Sequence, residues 1–128
     1  MSECTHHRWS EIAPEPLNPL ITRQYVVGAN TMLARIVLKK GAVVPEHHHF
    51  HEQISHVVEG ALLFRTAREG AGSEATVRAG EILCIPPHLP HAVVAIEDSV
   101  VLDIFNPPRQ DWIDGDDAYL RASAAAKS

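Results

Sequence analysis

At 128 residues the chain has the length of one ordinary domain, large enough to bury a core without disulfides or several metals to staple it. A formal charge of -5, with no cluster of lysine or arginine, excludes affinity built on a nucleic-acid backbone, and no apolar run approaches the ~20 residues of a membrane span. The expected setting is soluble and cytoplasmic and the expected partner a small molecule, and the unusual feature of the composition is nine histidines.

Taken in chain order, the leader Ser2 to Pro19 contains Pro14, Pro16 and Pro19, so it holds at most a turn of helix and continues extended, wrapping the body or a partner subunit. From Tyr25 onward short apolar segments follow one another: Thr31 to Leu38, Val43-Val44, Gln53 to Val58, Ala61 to Arg65, Ala75 to Arg78, Ile82 to Ile85, Ala92 to Ile96 and Val100 to Phe105. Turns are expected at Lys40-Gly41, Glu59-Gly60, Glu69 to Gly72, Ala79-Gly80 and Glu97-Asp98, where glycine supplies the positive φ that reversals need. Many short strands at this spacing predict an all-β sandwich or barrel rather than β-α-β units. The tail from Asp114 to Lys127 reads as helical, with Asp116-Asp117 able to cap an alanine-rich segment. The expected organisation is an N-terminal arm over 1–24, a barrel over 25–110, and a partly helical tail over 111–128. Of two cysteines, Cys4 lies in the polar leader, and Cys84 is expected as a small buried hydrophobe within an apolar run.

The histidines point to a metal. Residues i and i+2 of a strand face the same way about 7 Å apart, so His47 and His49 can close on one ion. Gln53 shares their parity and offers a side-chain oxygen if the strand stays regular. His91 follows the rigid Pro86-Pro87 and Pro90 turns, which aim it as a fourth donor. His51 also has the parity of the ligands and either ligates, lines the pocket or does neither, and His88 is equally open. His6, His7, His48 and His56 read as ordinary surface or hydrogen-bonded histidines.

These residues carry a family resemblance. Gly41, His47, His49 and Gly60 match the first cupin motif, G-x5-H-x-H-x3-E-x6-G, with Gln53 where glutamate usually stands. Gly80, Pro86 and His91 match the second motif in part, with His88 in place of its glycine and Ala95 in place of its asparagine. The chain thus resembles the cupin superfamily over about Met32 to Phe105. The resemblance implies a double-stranded antiparallel β-barrel, or jelly roll, with the extended arm and a short C-terminal helix added, often as a homodimer, with a metal in the barrel mouth. Glutamine for glutamate leaves three neutral imidazoles and a neutral amide around a divalent ion, which makes it a stronger Lewis acid and disfavours a trivalent state. Zinc, nickel, iron, manganese and cobalt all suit such donors.

The last strand adds a second group. Period two sets Val101, Asp103 and Phe105 on one face, and a carboxylate in so apolar a strand must be paired, metal-linked or functional. Asp103 either accepts hydrogen bonds from a turn or pairs with an arginine such as Arg35, or it faces the barrel mouth as a general base. Arg109, beyond Pro107-Pro108, either offers a fork to a substrate carboxylate or is solvated. With the histidines and Gln53, this pattern is similar to the small cupins of pectin and alginate breakdown, which help convert a cyclic unsaturated uronate into its linear keto form. That likeness implies metal ligation by His47, His49, Gln53 and His91, catalysis by Asp103 and Arg109, and a pocket lined by Phe105. The expected activity is metal-dependent isomerisation or ring opening of a small sugar acid. A dioxygenase of the same fold and a non-catalytic sugar-acid binding module are the alternatives.

Overall fold

The structure, a computed structural model, describes residues 3–68 and 71–123. Three prolines exclude a regular helix from the leader, which makes one 3-10 turn at Trp9–Glu11. The hairpin of β1 (Glu15–Asn18) and β2 (Ile21–Val27) follows, so the sheet already begins inside the segment expected as an arm. Pro16 is tolerated because β1 is an edge strand, where a missing N–H breaks no ladder. The Asn18 side-chain oxygen accepts the Leu20 N–H at 2.8 Å and closes the turn.

The expected apolar segments become β3 (Met32–Leu38), β4 (Val43–His47), β5 (Glu52–Glu59), β6 (Ala61–Arg68), β7 (Ala71–Arg78), β8 (Ile82–Ile85), β9 (His91–Ala95) and β10 (Ser99–Asn106). The turn expected over Glu69 to Gly72 falls partly on residues 69–70, outside the described ones. All pairings are antiparallel, in a six-stranded sheet ordered β1-β2-β3-β10-β5-β8 facing a four-stranded sheet ordered β4-β9-β6-β7. This is the jelly-roll barrel expected from the motifs.

Alternation supplies the core. Met32, Ala34 and Leu38 from β3, Val57 from β5, Phe64 from β6 and Val101 and Phe105 from β10 are buried between the sheets, each large side chain contributing ~1.5–3 kcal/mol. Gly60 is required where it stands: its φ is +84°, and a Cβ there would collide with Asp98 and Ser99 of the neighbouring turn. Cys84 departs from expectation. It lies on the outward face of the edge strand β8, exposed, because the inward positions there are Leu83 and Ile85.

The tail is partly helical, as expected, with a helix starting directly after Asp116-Asp117. It forms α1 (Gln110–Ile113), a reversal at Gly115 with φ +82°, and α2 (Ala118–Ser123), while residues 124–128 lie outside the described ones. Asp117 precedes α2, yet its carboxylate is taken by arginines, Arg23 at 2.8 Å and Arg121 at 3.0 Å. Arg23 is buried against the Trp112 ring, and Arg121 reaches Glu15 of β1 at 2.7 Å. This network fastens α2 beside β1 and β4, which places Tyr119 over the barrel mouth.

Candidate metal centre

His47 ends β4 and lies directly opposite His91, the first residue of β9, with ring centroids 4.3 Å apart. His49 reaches the same point for a different reason from the one its spacing suggests. Regular strand stops at His47, so His49 sits in a loop, held there because its carbonyl accepts the His88 N–H at 2.7 Å. Gln53 returns on β5 and points inward, paired with Phe105 and Ile85. Each imidazole sets Nδ1 against a backbone carbonyl: Pro45 at 2.9 Å for His47, His51 at 3.1 Å for His49 and Leu89 at 2.8 Å for His91. Those contacts assign the proton to Nδ1 and leave Nε2 as the donor atom. The ligand atoms of the three histidines lie within 4.8 Å of one another and could hold a metal ion.

Two features fit the residues to a cation. The Nε2 of His91 is buried without a hydrogen-bond partner. His49 faces two acceptor oxygens, the His51 carbonyl at Nδ1 and Gln53 Oε1 at 3.2 Å from Nε2. A neutral imidazole carries one N–H and satisfies only one of them. An imidazolium would satisfy both, but burial first, and then the charge of Arg109, pushes His49 down to about 3. A cation held by His49 and Gln53 would resolve the clash of lone pairs. Burial likewise brings His47 down to about 4 and lowers His91, so all three rings are neutral at neutral pH, the form in which they could bind a metal.

Beneath the rings, Asp103 points into the barrel between Val101 and Phe105. It does not pair with Arg35, whose guanidinium reaches Gln24 Oε1 at 3.3 Å. Its Oδ1 accepts the Ser55 hydroxyl at 2.6 Å, and Ser55 Oγ accepts the Gln53 amide N–H at 3.0 Å. Burial pushes Asp103 up to about 6, against the opposing pull of the Ser55 hydrogen bond and the Arg109 charge.

Arg109 is 2% exposed rather than solvated, lying over the Phe105 and Trp112 rings at 4.9 and 4.7 Å. Its fork is occupied within the chain. Nε and Nη2 donate to the two carboxylate oxygens of Asp111 at 3.0 and 2.8 Å, and Nη2 also donates to the Tyr119 hydroxyl at 2.9 Å.

His47, Gln53, His91, Asp103, Phe105 and Tyr119 share a cavity of about 50 Å³, room for one or two waters. Above it an open mouth of about 410 Å³ is bounded by Glu46, His48, His49, Arg109 and Asp111.

His51 is 4% exposed with its ring stacked on Phe50 at 4.1 Å, but it is not among the clustered ligands. Neither of its ring nitrogens meets a partner at hydrogen-bond geometry, though the Pro108 carbonyl is near enough to favour the charged form. His88 is exposed and contributes backbone only, at φ 68° where the motif has glycine. Ser55, Asp111 and Tyr119 were not anticipated. Ser55 shares the inward parity of Gln53 two positions on, a signal that spacing could have supplied. Asp111 stands two positions after Arg109, whereas Tyr119 comes from the tail and carries no local signal.

The Cupin domain family matches residues 34–105. No curated protein matches the chain. Among solved structures, KdgF from Halomonas sp. is similar at 31% identity, TM-score 0.76, over 84% of this chain and 99% of that one. An RmlC-like cupin from Shewanella frigidimarina NCIMB 400 is similar at 28% identity, TM-score 0.76, over 88% of this chain and 99% of that one. A mutant of oxalate decarboxylase OxdC from Bacillus subtilis, at 20% identity and TM-score 0.71 over 77% of this chain and 28% of that one, shares the fold.

Proposed function

From the premise that this chain belongs to the cupin domain family, we propose that it is a metal-dependent enzyme that isomerises or opens the ring of a small sugar acid, an unsaturated uronate. The observation that carries the reading is a buried carboxylate held near pH 6, hydrogen-bonded through Ser55 and Gln53 to a cluster of three neutral histidines. A group with that affinity for protons can both take and return one at neutral pH. Likeness over nearly the full length of KdgF supports an activity carried by a single barrel. The substrate class rests on the motif resemblance.

In this reading His47, His49, His91 and Gln53 hold one divalent ion, which when bound supplies Lewis acidity at a substrate oxygen. Asp103 takes the proton from the hemiacetal hydroxyl, and the ring C–O bond breaks to leave a carbonyl there and an enolate at the other end. Asp103 returns the proton to the enolate carbon, which gives the linear keto form. Its second oxygen serves, because Oδ1 is engaged by Ser55. The 50 Å³ cavity admits only the reacting end of a six-carbon acid, so the remainder lies in the mouth. Arg109 there binds the substrate carboxylate in exchange for Asp111, and Phe105 walls the pocket. A homodimer fits the outward face of the six-stranded sheet, where Val58, Ile82 and Ile104 are exposed.

The test is zinc-loaded protein incubated without oxygen with a cyclic unsaturated uronate, followed by proton NMR. Conversion to the linear keto form well above that in zinc alone supports the proposal. A strict need for oxygen and ferrous ion decides for a dioxygenase. Saturable binding without turnover decides for a binding module.

A further inference from the structure

We infer that Ser55 is a positioning residue for the metal site: its hydroxyl, oriented by Asp103, dictates which end of the Gln53 side-chain amide faces His49. The inference rests on the proposed ligation by Gln53. Ser55 is fully buried, so no solvent competes for its one proton. That proton is committed to Asp103 Oδ1 at 2.6 Å, a length typical of a hydroxyl donating to a carboxylate. Toward Gln53, therefore, Ser55 presents only lone pairs, and the amide must offer its N–H, which it does at 3.0 Å.

The consequence appears at the other end of the same amide. Oε1 is left pointing at His49 Nε2, 3.2 Å away, where a cation would meet an oxygen lone pair. Turned over, the amide would set an NH2 donor against that cation and remove the fourth ligand. An amide is otherwise ambiguous, since its two ends are nearly equal in shape. A glutamate at this position would need no such device, because both its ends are oxygen. Ser55 is thus the residue that makes glutamine serviceable where the family motif has glutamate.

The test measures zinc affinity by chelator competition, and the visible spectrum of the cobalt-substituted protein, on Gln53→Ala, Ser55→Ala and the double variant. Ser55→Ala should weaken zinc binding by about tenfold and alter the cobalt spectrum, within the range for losing support of a metal ligand. In the Gln53→Ala background the same substitution should cost nothing more, because its route to the metal is gone. A loss that persists undiminished in that background marks Ser55 as merely structural and overturns the inference. An unchanged affinity in Ser55→Ala, with a weakened Gln53→Ala, overturns it as well and leaves the ligand assignment standing. If Gln53→Ala itself leaves zinc affinity and spectrum unchanged, the ligand assignment falls and this inference falls with it. A second pair works from the far end should Ser55→Ala not fold. Asp103→Asn keeps an oxygen acceptor for Ser55 and should hold zinc near wild-type affinity, whereas Asp103→Leu should lose about tenfold. Equal affinities in the Asn and Leu variants refute the chain of orientation.

Discussion

Asp103 makes the sharpest prediction because its environment assigns it both a sign and a size. Its ordinary value of 3.8 is pushed up to about 6, with burial as the largest cause. At ~1.4 kcal/mol per pH unit, that gap means ionising Asp103 costs the folded protein about 3 kcal/mol. A carboxyl whose folded value is raised contributes stability that is fully present below 3.8 and is lost as pH rises through about 6. Asp103→Asn removes the titration and keeps an acceptor for Ser55. It also places a buried NH2 where an oxygen was, an offset of ~1–3 kcal/mol that does not depend on pH. The quantity to measure is therefore the difference between the two proteins, not either stability alone. Urea unfolding of metal-free wild type and variant at pH 4 and pH 7 should show the variant gaining about 2 kcal/mol on wild type across that interval, since at pH 4 the unfolded chain has already begun to ionise. The histidines titrate in both backgrounds and largely cancel. A difference that stays flat with pH would mean that Asp103 ionises like an exposed carboxylate, and the case for it as a proton carrier would go with it.

Other substitutions probe the remaining parts of the site. His49→Ala and His91→Ala should each lower zinc content or affinity by about an order of magnitude or more while the metal-free barrel stays folded, read by metal analysis and circular dichroism; full stoichiometric metal in both would refute the ligand set. Asp111→Asn should free the Arg109 fork and lower KM for a substrate carboxylate by roughly several-fold. A higher KM would instead make Asp111 part of the seat that orients Arg109. Asp103→Asn should reduce kcat by about 10²–10⁴ with zinc retained, whereas near-wild-type turnover would remove Asp103 from proton transfer.

The barrel and the three clustered histidines were legible because both rest on short-range rules. Period two in Val101-Leu102-Asp103-Ile104-Phe105 set the inward face of β10 correctly, and that face carries Asp103 and Phe105 into the site. His49 shows the limit of the same rule. The spacing selected it as though β4 continued, whereas the loop and its bond to His88 bring it in. Of the two residues on Arg109, Asp111 is a local partner two positions on, whereas Tyr119 was illegible for a tertiary reason. It reaches the mouth on α2, which is fastened in part by Asp117 on buried Arg23, a pairing 94 residues apart that no local pattern announces. The helical reading of the tail agrees with α2, which begins directly after Asp116-Asp117, but the reversal at Gly115 and the pairing of Asp117 with Arg23 were not legible locally.

In the proposed mechanism Asp103 carries two demands that a single group seldom meets, orientation of a neighbour and exchange of a proton. A carboxylate meets both because it has two oxygens. Oδ1 is fixed by Ser55 and through it holds the amide of Gln53. Asp103 lines the same cavity as His47 and His91, so in the proposed reading its other oxygen is the one that meets substrate. Protonating that oxygen would leave the Ser55 bond intact, so a proton could come and go without breaking the tie that orients Gln53. The two functions are chemically separable even though they share one side chain, which is why Asn, which keeps an oxygen for Ser55 but has no basic oxygen for substrate, should retain the metal and lose the reaction.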